Sequence, residues 1–395
     1  MTEIDLKLYK WYCYQILAIL ITLLLIYCAN HSYLPITNYW IPDSYHYEIA
    51  AFNYQKDDIR TYFFNLNGLL YAIGPQTFTI YNTALLLASL YFCKVFSIIS
   101  DQAVSWARAT IVFNPYFLIS VTGPTKEINL TFLALLSFFL FFNESNLLKV
   151  ISFLVAAYAC AVRPEFGMII IIGMASNISL RFIKNPIKHC LYILAVYFII
   201  NPIPWFNNYI TEISGGEELP FFQISVYHSL ALILLEMNKS PILQFAVFIV
   251  KLVLGLFAPI ARPSTIFSEY VPLLDWGYSF MAMFLFPLNA AFVLLLMSWK
   301  RKIFEDMPRN TKIIIIYTFL GVLSTLISPI IQFRYLFPYM PMLGAIYVLQ
   351  PVKVRNWIIG ISSIIIAASF IGSVIWLSKD YERITAYIPL FVSWL

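Results

Sequence analysis

Apolar stretches follow one another along almost the whole chain, and this succession limits the fold more than any other feature. They cover residues 11–29, 77–99, 109–122, 128–142, 149–162, 166–180, 190–203, 221–235, 242–258, 277–298, 312–331, 335–350 and 357–377. A helix needs about 20 mostly apolar residues to cross a bilayer, or ~17 at the short end. Several stretches are shorter, which implies tilt, local thinning of the bilayer or re-entrant segments. Of the 395 residues, 61% are hydrophobic and 11% charged. A soluble chain of this length could not hide so much apolar surface. The expectation is an all-α polytopic membrane protein, with residues 1–395 forming one membrane domain. The run from Trp11 reads as a retained first span rather than a cleaved leader, because so many spans follow.

Orientation follows from Lys and Arg, which gather on cytoplasmic connections. Residues 299–312 hold Lys300, Arg301, Lys302, Arg309 and Lys312. Residues 181–189 hold Arg181, Lys184 and Lys188, and the N-terminus carries Lys7 and Lys10. All three are placed in the cytoplasm. An even number of crossings between 190 and 298 is then needed, which gives thirteen spans, with eleven as the alternative. The outer face receives 30–76, 123–127, 163–165, 204–220, 259–276, 332–334 and the tail from Ser378. The loop 204–220 has turn chemistry, with Asn207, Asn208, Gly215 and Gly216. Cys13, Cys28, Cys93, Cys160 and Cys190 lack metal-ligand spacing and read as small buried apolar residues. The net charge of +5 gives no reason to expect a nucleic-acid partner.

Charge close to hydrocarbon costs free energy, so its default reading is functional. Three such patches fall on the predicted outer face: Gly123-Pro124-Thr125-Lys126-Glu127, Arg163-Pro164-Glu165 and Gln332-Phe333-Arg334-Tyr335. Arg gives bidentate phosphate contact and Lys a point charge. For any one of Lys126, Arg163, Arg262 or Arg334, snorkelling or anchoring of a helix end is an equal reading. Four together on the side where cations are scarce point instead to a shared anionic ligand. Glu127 and Glu165 each lie within two residues of a cation, and local charge pairing is their simplest role. Lys251, inside a predicted span, either snorkels or reaches a phosphate.

The first outer loop adds a carboxylate. Pro42 suits a helix start. Tyr45, Ile49 and Phe52 form one helical stripe, and Tyr62, Phe63, Leu66, Leu69, Leu70 and Ile73 a second. Two amphipathic helices in the membrane interface are expected. Asp43 stands in the first turn, where the helix dipole favours its ionised form. Such a carboxylate either caps the helix or accepts a proton from a hydroxyl. His46 and Glu48 are its rivals one turn on.

A first span, a long outer loop with an Asp and interfacial helices, and then short hairpins resemble the GT-C superfamily of membrane glycosyltransferases. Pro42-Asp43-Ser44-Tyr45 is similar to that family's first-loop acidic motif. The Lys126-Glu127, Arg163-Pro164 and Arg334-Tyr335 patches resemble those of bacterial members that build O-antigen and capsule. The resemblance implies an inverting transferase that takes a sugar or oligosaccharide from a polyprenyl-phosphate or polyprenyl-pyrophosphate donor. It would work on the outer face of the bacterial cytoplasmic membrane, as a single-sugar transferase or a repeat-unit polymerase, beside other polysaccharide-assembly proteins. Asp43 would be the catalytic base, and Arg163, Arg334 and Lys126 would hold the donor phosphates. The full candidate binding set is Lys126, Glu127, Arg163, Arg334, Tyr335, Arg262, His46 and Glu48. No second carboxylate pairs with Asp43, so no metal or other cofactor is expected. The competing reading is a transporter or flippase of lipid-linked sugars. Against it, the charges cluster at one face and the sequence shows no paired broken helices.

Overall fold

A computed structural model describes residues 6–17, 70, 75–121, 126–200, 272–298, 303–327 and 333–378. The described residues are helical and contain no strand. Residues 6–17 form α1. Then come α2 (Pro75–Phe92), prolonged by a 3-10 turn over Cys93–Ile98, α3 (Asp101–Val112), α4 (Pro115–Ser120), α5 (Glu127–Phe141) and α6 (Asn146–Val162). They are followed by α7 (Pro164–Ser179), α8 (Pro186–Ile200), α9 (Pro272–Met297), α10 (Ile303–Asp306) and α11 (Arg309–Ile327). A second 3-10 segment, Phe333–Tyr339, leads into α12 (Met340–Tyr347) and α13 (Val352–Ser378). Nearly all of the first outer loop, the loop 204–220 and the predicted spans 221–235 and 242–258 lie outside the described residues.

Short-range chemistry sets the boundaries. Proline opens α2, α4, α7, α8 and α9, where its missing N–H and fixed φ cost nothing. The Ser100 hydroxyl accepts the Ala103 N–H at 3.1 Å and caps α3. Asn185 Oδ1 accepts the Ile187 N–H at 2.9 Å and caps α8. Arg163 is extended (φ −156°, ψ 104°) and separates α6 from α7, as expected before a proline.

The predicted segments 128–142, 149–162 and 166–180 correspond to α5, α6 and α7. The stretches 277–298 and 357–377 fall largely within the 26-residue α9 and the 27-residue α13. Two segments require correction. Residues 109–122 are not one helix: the chain is helical from Asp101 and breaks at Phe113-Asn114, because Pro115 cannot continue the hydrogen-bond ladder. Residues 335–350 divide into a 3-10 segment and the short α12, with Pro338 and Pro341 in the sequence there. The breaks meet. Asn114 caps α4 through Phe117 N–H at 3.1 Å and points its amide at Met340 Sδ, 3.5 Å away. The two interruptions touch, a pairing that the sequence did not show.

α3 packs against α12 at the centre. A Cβ on Gly344 would stand 2.8 Å from Thr110 Cγ2 and 3.0 Å from the Trp106 carbonyl oxygen, so only glycine permits this approach. Beside it, the rings of Trp106 and Tyr347 lie 4.7 Å apart. α2 and α5 run parallel in one register. Tyr81 bonds Asn129, and Tyr91 meets Phe139; both pairs are 48 residues apart (129 − 81 and 139 − 91). α7 and α11 run antiparallel. Arg309 donates to the Asn177 carbonyl at one end, and Phe166 and Gly321 both meet Tyr339 at the other. Arg108 on α3 is 1% exposed, donates Nε–H to the Leu90 carbonyl at 3.0 Å and lies 5.3 Å from the Tyr9 ring.

Among the described residues, several large apolar side chains are exposed. On α6, Leu147, Val150, Leu154 and Tyr158 are exposed, while Ser152, Ala156 and Ala159 are buried. On α13, Trp357, Ile361, Ile364 and Ile371 face outward. By length and composition, one described stretch, Ile80–Ile98, suffices to cross a membrane. α5, α6 and α7 are shorter apolar helices.

Candidate functional site

The N-termini of α5 and α7 come together at one end of the bundle. Lys126 precedes α5, and Glu127 is buried in its first turn, with its carbonyl accepting the Thr131 hydroxyl at 2.7 Å. Arg163 Nε donates to Glu165 Oε1 at 2.5 Å. Burial alone would raise the Glu165 carboxyl. The Arg163 charge and hydrogen bond, with a further contribution from the Lys126 ammonium, outweigh that and hold it below the usual carboxylate range. Glu165 stands just before the apolar run 166–180, at the helix mouth. Local charge pairing, the simplest role for Glu165, is the arrangement observed.

The third patch joins from the C-terminal part. Arg334 and Tyr335 lie in the first turn of the 3-10 segment, which packs on α5 and α11. The segment ends at Tyr339, whose ring lies 5.2 Å from Phe166 and 5.5 Å from Tyr317. Its hydroxyl bonds Ser324 and lies within electrostatic reach of Arg163 and Glu165. Tyr339 thus ties the Arg334 segment to the Arg163 corner. The sequence reading did not single it out; its signal was the Pro338-Tyr339-Met340-Pro341 run, which marks a kinked, packed segment rather than a plain span. Asp43, His46, Glu48, Arg262 and Lys251 lie outside the described residues.

Below this end, a polar layer lies between α2 and α5. The Tyr81 hydroxyl donates to Asn129 Oδ1 at 3.1 Å, and Asn82 and Asn129 are both buried. No group of three His, Cys, Asp or Glu among the described residues could hold a metal ion.

The opposite end gathers the basic connections. Lys188 pairs with Glu305 at 3.9 Å, and Lys312 Nζ donates to the Glu305 carbonyl at 2.7 Å. Segments 181–189 and 303–312 therefore meet. His189 is buried there, its Nε2 3.3 Å from the Ser179 hydroxyl. Burial pushes its pKa below the ordinary value.

No family model matches the chain, and neither a curated protein nor a solved structure matches it. Any reading of function rests on the residues themselves. Chemically, the first end offers fixed positive charge next to a carboxylate held ionised, above a buried amide layer. That combination suits an anion with a polar body attached.

Proposed function

We propose that the chain is a polytopic membrane glycosyltransferase. It would take a sugar or oligosaccharide from a polyprenyl-phosphate or polyprenyl-pyrophosphate donor at the outer face of the bacterial cytoplasmic membrane, in surface-polysaccharide assembly. The observation that carries the reading is the meeting of Lys126, the Arg163–Glu165 pair and the Arg334 segment at one end of an all-helical bundle. Large apolar side chains exposed on the described helices, such as Leu147, Leu154, Trp357 and Ile364, support immersion in lipid. The basic connections at the far end agree with a cytoplasmic side.

The chemistry follows from the charges. Breaking the anomeric C–O bond leaves negative charge on the donor phosphate. Cations fixed beforehand stabilise that charge as it develops. Asp43 would take the proton of the acceptor hydroxyl, whose oxygen bonds the anomeric carbon from the face opposite the departing phosphate, so the anomeric centre inverts. The lipid tail stays among the helices while the sugar occupies the polar end. No metal is assigned a role.

The test is incubation of the purified protein, in lipid nanodiscs, with polyprenyl-linked sugars and oligosaccharides, with product length as the readout. A ladder identifies a polymerase and one added sugar a single-step transferase. Absence of transfer from every donor, with the lipid-linked sugar moved between leaflets instead, establishes the second reading, a flippase. The touching breaks at Asn114 and Met340 favour that second reading, because transporters build sites from interrupted helices.

A further inference from the structure

Most buried hydroxyls in this bundle bond to backbone of their own helix. Ser89 donates to Leu85 O at 2.8 Å, Ser152 to Lys149 O at 2.6 Å and Thr318 to Ile314 O at 2.7 Å. Asn82 behaves differently. It is 0% exposed, and neither its Oδ1 nor its Nδ2 has a partner. It is the one described side chain with both ends of an amide unpaired. Asn129, 4% exposed, uses Oδ1 for Tyr81 and leaves Nδ2 unpaired. In the parallel register of α2 and α5, with its offset of 48, position 82 is level with position 130. The two amides therefore share one layer. Asn129 is three residues beyond Lys126, so that layer lies about 4.5 Å below the Lys126 backbone along the helix.

Buried amide groups without partners lose their hydration with no return, and an apolar residue at position 82 would avoid that loss. Two such amides in one layer, one of them unpaired at both ends, call for a ligand that completes them. A carboxamide presents donor and acceptor side by side, as does a pair of neighbouring sugar hydroxyls.

We propose that Asn82 and Asn129, held in register by Tyr81, bind the hydroxyl groups of the donor sugar while Lys126 and Arg163 take its phosphate. The inference rests on the glycosyltransferase reading and deepens it by assigning the sugar-selecting layer. Asn82 is closed from solvent in this structure, so admission of the sugar requires α2 to shift. A site built to hydrogen-bond a hydroxyl rejects analogues that lack it, so this layer sets which sugar is accepted.

The test compares binding of farnesyl phosphate with binding of farnesyl-phosphate-linked glucose, galactose and N-acetylglucosamine to the purified full chain. Wild type is expected to bind at least one sugar conjugate roughly tenfold or more tighter than farnesyl phosphate alone. Asn82→Leu and Asn129→Leu should each remove that increment and leave farnesyl phosphate binding unchanged. Should Asn82→Leu fail to fold, Asn82→Ser carries the same expectation, because its single short hydroxyl cannot span two sugar hydroxyls. An increment retained in the folded variants overturns the proposal, as does a wild-type protein that gains nothing from any sugar. A lower melting temperature in Asn82→Leu with the increment intact identifies the amide as merely structural and also overturns it. Failure of wild type to bind farnesyl phosphate is a separate result, and it counts against the phosphate role of Lys126 and Arg163.

Discussion

Gly321→Ala adds one methyl group to α11, and the structure fixes where it goes. The new Cβ would stand 2.6 Å from Tyr339 Cζ and nearer still to Cε1 and Cδ1. Tyr339 cannot yield easily, being buried between Phe166 and Tyr317 with its hydroxyl on Ser324. Overpacking of this kind costs about 1–3 kcal/mol. Replacing glycine by alanine in a helix offsets about 0.8–1.0 kcal/mol of that. Gly360 on α13 serves as the control, since a Cβ there meets nothing within 4 Å. Gly360→Ala should therefore stabilise by the propensity gain alone. The two variants are expected to differ by the overpacking cost, ~1–3 kcal/mol. Unfolding titrations in mixed micelles measure both. Tyr339→Leu in the Gly321→Ala background should recover much of the loss, because neighbours in contact are not additive. Equal stability of Gly321→Ala and Gly360→Ala would refute the packing assigned to Tyr339, and with it the link between the Arg334 segment and the Arg163 corner.

Four further expectations concern chemistry and orientation. Asp43→Asn should lower turnover roughly 100-fold or more with normal recovery of folded protein, as loss of a general base does; near-normal transfer would remove Asp43 as the base. Arg163→Lys and Arg334→Lys should weaken donor binding by about 1.5–3 kcal/mol, because the guanidinium fork is lost, whereas helix-end anchoring alone predicts wild-type affinity in correctly inserted protein. Cysteines placed at Ser44 and Asn310, in a background without native cysteines, should label from opposite sides with an impermeant reagent; labelling of both from outside would overturn the orientation. His189 is buried in its neutral form, with its pKa below the ordinary 6.5. The unfolded chain therefore takes the proton first, and stability should be full above that value and fall as pH drops below it. Thermal melts from pH 7.5 to 5.5 should show that loss in wild type and a smaller one in His189→Gln; an identical slope would show that another group titrates.

The parts of the fold legible in the sequence were those where apolar runs end on strong punctuation. Pro164 after Arg163 marks a real helix end, and α6 and α7 lie where the runs placed them. The break at Asn114-Pro115 was hidden because Ile111, Val112, Phe117 and Leu118 keep the stretch apolar on both sides. Hydrophobicity reports burial, and burial does not stop at a kink. The charged patches stood out because Lys126, Arg163, Glu165 and Arg334 are expensive next to hydrocarbon. Tyr339 did not, since it is one of 27 tyrosines whose ring suits an apolar neighbourhood. Asn82 and Asn129 carry no charge, and their unpaired amides become visible only once α2 and α5 are set side by side.

The contact between Asn114 and Met340 joins residues 226 positions apart. It bears on how the protein is made. Synthesis delivers α3 and α4 long before α12, so the polar break at Asn114 forms without the partner that later covers it. The early helices can gather in the meantime: Arg108 already has Tyr9 and the Leu90 carbonyl, all translated before it. The middle of the chain stays incomplete until the last quarter emerges from the ribosome. A chain cut short before residue 340 would leave that gap permanently open, an incomplete core rather than a smaller version of the protein.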